Sequence, residues 1–97
     1  MNQWHCSDLG DGIQARDPSD RIQEALFAAQ LANGGNTEGV AVFSRYDLKA
    51  NMVTVYFTPK AAALAKQFAA TPCDPPSRGN GIGLLAGDAS AWDLLGD

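Results

Sequence analysis

The clearest periodic stretch of apolar positions lies between residues 17 and 32. Ile22, Ala25, Leu26 and Ala29 recur at i, i+3, i+4 and i+7, the spacing of one helix face, and Phe27 and Leu31 widen that face. Asp17-Pro18 supplies a start. The Asp17 carboxylate can accept from free first-turn amides, and Pro18 then stands where a missing N–H costs nothing. Asp20 and Glu24 lie toward the positive end of the helix dipole. Asn33-Gly34-Gly35-Asn36, tolerant of left-handed backbone, ends the helix.

The pattern then switches to the alternation of strands. Residues 40–46 and 52–58 are β-branched and aromatic, and the polar run 47–51 between them is a turn, which predicts an antiparallel hairpin. In the second strand Val53, Val55 and Phe57 share the expected core face. The first strand leaves its core face open, because Val40, Ala41, Val42 and Phe43 are all apolar. Thr58-Pro59 repeats the cap-then-proline device and predicts a second helix, with Leu64 and Phe68 on its buried stripe beside Ala61 and Ala65. Thr71-Pro72 stops it, and residues 73–81 are expected as a proline-stiffened loop. Ile82–Gly87 fits a third, buried strand, and residues 88–95 fit a helical turn or two capped by Asp88 or Ser90. Residues 1–16 are expected to be irregular, with turn chemistry at Leu9–Ile13 and room for a short helix or strand around Trp4–Asp8. The order gives one α+β domain over residues 1–97. Its sheet is mainly antiparallel, with three strands or a fourth, two main helices on one face and a short C-terminal helix.

Composition narrows the function classes. The net charge of −4 and pI near 4.6 disfavour phosphate-backbone binding, so nucleic acid is an unlikely partner. Charge is uneven: residues 1–38 hold two cations against six carboxylates, residues 39–78 five against two, and residues 79–97 three carboxylates alone. No apolar run has the length of a membrane span. The first residues lack a basic and apolar leader pattern, so Cys6 and Cys73 are expected as free thiols in a reducing cytosol.

Candidate chemistry is sparse. His5-Cys6 and Cys73-Asp74 concentrate the nucleophilic and ligand residue types. Adjacent residues of an extended chain point to opposite faces, so His5 is poorly placed to serve Cys6 and would have to reach Cys73 across space. Two adjacent pairs are also poor knuckles for zinc. A Cys6–Cys73 disulfide would close a long loop in an exported chain. Gly79-Asn80-Gly81-Ile82-Gly83 and Gly87 resemble a dinucleotide fingerprint in spelling only, since no second strand of a parallel unit can follow. Asp8 and Asp11 are expected as solvated turn residues. No catalytic set, metal site or cofactor is therefore expected.

The remaining signal is a mixture of basic and aromatic residues near the hairpin together with the proline-stiffened loop. Arg45, Tyr46, Lys49, Tyr56, Cys73, Asp74 and Arg78 form the candidate interaction patch, because Tyr and Arg are enriched where proteins meet. The expectation is a small non-enzymatic protein-binding or regulatory module. It would associate with another protein or with itself through the hairpin, and not through the acidic N-terminal region. The alternatives are an acidic inhibitor of a nucleic-acid-binding protein, of the kind bacteria and phages carry, and a thiol enzyme using Cys73 with His5.

Overall fold

The computed structural model describes residues 3–36, 38–79 and 81–95; Asn80 of the glycine-rich stretch, Asp97, Met1, Asn2, Thr37 and Gly96 lie outside these. The chain is α+β, as its pattern predicts, but its sheet has five strands. They are β1 (His5–Gly10), β2 (Ala41–Asp47), β3 (Met52–Phe57), β4 (Thr71–Pro72) and β5 (Ile82–Gly87). The order is β4-β1-β3-β2-β5, and every neighbouring pair is antiparallel. The segment expected to be irregular, with room for a short helix or strand around Trp4–Asp8, holds β1, an interior strand with Cys6 opposite Tyr56 on one side and Thr71 on the other. Its pattern hides this because the extra residue Leu9 forms a bulge between Asp8 and Gly10.

Helix α1 (Arg16–Ala32) begins earlier than Asp17. No side chain caps it at Ala15; the Asp11 carboxylate holds the turn that precedes it, accepting from the amides of Ile13 and Gln14 at 3.0 and 2.8 Å. Asp17 instead pairs with Arg21 one turn on, at 3.4 Å on the surface. Ile22 and Leu26 are buried, whereas Phe27 and Leu31 are 64% and 65% exposed, so the wide apolar face is only half used.

The second helix is a composite. Helix α2 (Ala62–Ala65) is a single turn between two 3-10 turns, Pro59–Ala61 and Lys66–Phe68. Ala69, in left-handed backbone at φ 57°, ends it before Thr71 is reached. Its start does not use the Thr58 side chain as a cap. The Thr58 hydroxyl turns back to the sheet, donating to the Gly39 carbonyl at 2.6 Å and accepting from the Ala41 amide at 3.1 Å. The Thr58 carbonyl, which would have met Ala41 in a regular ladder, accepts from Ala61.

Both faces of the sheet are covered. On one, Ile22 of α1 and Ala61 and Ala65 of the second helical segment pack on Val42, Val55 and Phe57, with Leu64 and Phe68 half-buried at the margin. This face holds α1 and the second helical segment, of which only one turn is α-helix, where two main helices were expected. On the other, Trp4, Ala91 and Leu95 pack on Ala41 and Phe43, with Trp92, Leu84 and Tyr56 around them. The C-terminal segment is a 3-10 helix (Ala89–Leu94), capped by the Asp88 carboxylate on the Ser90 amide at 3.1 Å. The apolar run Ala41-Val42-Phe43 is completely buried for this reason: its alternate side chains enter two cores. Gly87 makes the close crossing at the end of β5. It has φ 126°, and a Cβ there would stand 2.6 Å from that of Ala41.

Two stability outcomes follow from this packing. Thr58→Val strands the Gly39 carbonyl and the Ala41 amide, and should cost about 2–4 kcal/mol in urea unfolding, while Thr58→Ser should retain most of the stability. Phe57→Ala should cost about 3–5 kcal/mol, and more than Phe68→Ala, because Phe57 is enclosed and Phe68 only stacks on it from the margin.

Candidate functional site

The sheet face away from α1 carries the polar side chains of interest in register. One cross-strand row runs Thr71, Cys6, Tyr56, Phe43, Leu84; the next runs Asp8, Thr54, Arg45, Ile82. Parity decides membership. Cys6 and Asp8 of β1, Thr54 and Tyr56 of β3 and Arg45 of β2 all project to this side. His5, opposite Phe57, projects to the other, with its Nδ1 3.1 Å from the Gln3 carbonyl.

Arg45 is the centre of the cluster. Its guanidinium lies over the Tyr56 ring at 5.5 Å and donates to the Ser77 carbonyl at 3.1 Å, while its buried Nε meets no acceptor. Burial raises the Tyr56 hydroxyl above its ordinary pKa, and the Arg45 charge partly opposes this. Beside it, the Thr54 hydroxyl donates to the Asp8 carboxylate at 2.8 Å, so Asp8 is exposed as expected but belongs to a strand and not to a turn. Arg78 reaches the other way, donating to the Trp92 carbonyl at 2.8 Å with Asp93 4.0 Å off. The two arginines therefore strap residues 73–79 across the second core.

The two thiols come together. The Cys73 amide donates to the Trp4 carbonyl at 3.0 Å, which extends the β1–β4 ladder and puts Cys73 on the same side of the sheet as Cys6. The Cys73 thiol is pushed up to about 12, first by burial, then by its hydrogen bond with Cys6 and by the charges of Cys6 and Asp74.

Of the seven residues of the sequence-predicted patch, the structure gathers Arg45, Tyr56, Cys73 and Arg78 around the second core. Asp74 is exposed on the adjoining loop. Tyr46 lies on the opposite face from Tyr56, and its hydroxyl donates to Asn51 within the hairpin at 2.6 Å. Lys49 is exposed in the hairpin turn. The seven do not form one surface. Cys6, Asp8 and Thr54 belong to the cluster but stand outside that patch: the hairpin register sets Thr54 opposite Arg45, and only the β1 register brings in Cys6 and Asp8.

Among the described residues no three metal-ligating side chains converge. Among the described residues no helix is long and apolar enough to cross a membrane. No protein-family model, curated protein or solved structure matches the chain.

A raised thiol is a protonated and sluggish nucleophile. At pH 8 iodoacetamide should modify Cys73 at least about a hundredfold more slowly in the folded chain than in urea. His5→Ala should leave that rate unchanged; a slowed reaction in this variant would place the imidazole near the thiol after all.

Proposed function

We propose that the chain is a protein-binding module that takes an extended segment of its partner along the outer edge of β5. The observation that carries this reading is the contrast between the two edges of the sheet. At one edge β4 has two residues, one of them Pro72, which offers no amide. Short, proline-bearing edges resist pairing with another chain. At the other edge β5 has six residues, Ile82-Gly83-Leu84-Leu85-Ala86-Gly87, with neither charge nor proline. A bulge at Leu85 interrupts its pairing with β2 and lets Leu84 and Leu85 enter opposite cores, but leaves peptide groups on its outer side.

The surroundings favour the same occupant. A groove of about 420 Å³ runs between α1 and β5, lined in part by Gln23, Leu26, Phe27, Leu85 and Ala86. Phe27 and Leu31, one turn apart on α1, stand exposed beside it. A strand added to the edge would satisfy backbone groups through the ladder and seat alternate apolar side chains against Phe27. Arg45, Tyr56 and Arg78 already hold the chain to itself, so the hairpin region offers a partner less than its composition suggests.

Gly83→Lys tests the reading with little risk to the fold, since a Cβ at Gly83 meets nothing within 4 Å. Affinity capture from the source cell, run in parallel on the unaltered chain and the variant, should retain a specific partner that Gly83→Lys binds at least roughly tenfold more weakly, about 1.4 kcal/mol. Amide exchange in the complex should slow along residues 82–87. Capture of no specific partner at any salt, or a footprint confined to residues 45–51, would remove the proposal.

A further inference from the structure

We propose that Cys6 and Cys73 are a reversible dithiol–disulfide pair, closed by exchange with a small-molecule disulfide, that locks the β4 edge of the sheet to β1. The site is independent of the β5 edge.

Register brings the sulfurs together. Cys6 stands opposite Thr71, and Cys73 stands opposite Trp4, so the cysteines are diagonal neighbours across the β1–β4 ladder on one side of the sheet. Diagonal neighbours have Cα atoms roughly 7–8 Å apart, slightly beyond the usual span of a disulfide, so bonding requires a modest approach. The two side chains lie near enough to interact, since Cys6 is among the groups that hold the Cys73 proton on. The approach falls on the chain that yields most readily: β4 is two residues long, at the edge, and pairs only with β1. Both thiols are half-buried, which leaves each open to a small reagent.

The exchange balances as follows. The Cys6 thiolate attacks one sulfur of glutathione disulfide, a mixed disulfide forms on Cys6 and one glutathione thiolate leaves. The Cys73 thiolate then attacks the Cys6 sulfur, the protein S–S bond closes and the second glutathione leaves. Two electrons pass to the glutathione pair, and the two thiol protons end on its thiolates. Cys73 is the poorer first nucleophile because burial, Cys6 and Asp74 all hold its proton on. Once glutathione caps the Cys6 sulfur, the contribution of Cys6 to that hold is gone.

The test equilibrates the reduced, folded chain with glutathione disulfide and reads intact mass and melting temperature. The expected product is a monomer lacking two hydrogens, restored by dithiothreitol. Because the bond closes a long loop, it should melt about 10 °C or more above the reduced chain. Cys6→Ser and Cys73→Ser should each abolish that product and the shift. Should either variant fold poorly, the unaltered chain is equilibrated across a series of glutathione ratios, quenched with acid and alkylated in urea, where both thiols react freely; both cysteines should become protected together. Separate glutathione adducts on the two thiols, a disulfide between molecules, protection of one cysteine without the other, or no reaction in the folded chain would each overturn the proposal.

Discussion

Thr58 has to end a strand and begin a helix at the same residue, and the two tasks compete for its carbonyl. The carbonyl goes to Ala61 and starts the 3-10 turn. That would leave the Ala41 amide without an acceptor in a fully buried place, where an unmade hydrogen bond costs more than a made one contributes. The hydroxyl takes over the acceptor role and, with its own proton, binds the Gly39 carbonyl. This single side chain fixes where β2 starts relative to where β3 stops. The register of that pair in turn assigns Val42 and Phe43 to opposite cores.

A chain of this length has little apolar material for two cores, and it divides that material unequally. The helical side receives regular elements: α1, the α2 segment and the alternating face of β3. The other side is closed by pieces with almost no regular structure, namely Trp4, residues 73–79 and the C-terminal 3-10 helix. Trp4, Phe43 and Trp92 contribute large rings at tilted and edge-on angles, which cover much area with few residues. Arg45 and Arg78 then attach the irregular pieces through backbone carbonyls. A guanidinium suits this because its charge persists at any physiological pH and its donors reach several acceptors at once.

The hairpin, α1 and the terminal helical turn were legible because their periods and caps are local. The composite second helix was legible in position but not in character: its alanines are strong helix formers, yet Pro59 at one end and the left-handed Ala69 at the other leave room for one true α-turn. β1 was not legible. Its residues alternate weakly, its bulge at Leu9 breaks the alternation, and its place is set by pairing with residues about fifty and sixty-five positions away. With β1 unread, the polar cluster could not be assembled either. Arg45, Tyr56 and Thr54 share a face of the hairpin, but Cys6 and Asp8 reach them only across the β1–β3 ladder. Val40–Phe43 did carry a readable sign of the second core, since an unbroken apolar run in a strand means both faces are covered.

The position of β1 has a bearing on how the chain is made. It is synthesised before the other four strands, yet it lies between β3 and β4, and Leu95, which closes the second core, follows all five. On a ribosome β1 therefore stays unpaired until β3 has emerged, while α1 can form alone as a local unit. Few apolar side chains, a bulge and the charge of Asp8 keep that waiting strand from being an attractive template for other nascent chains.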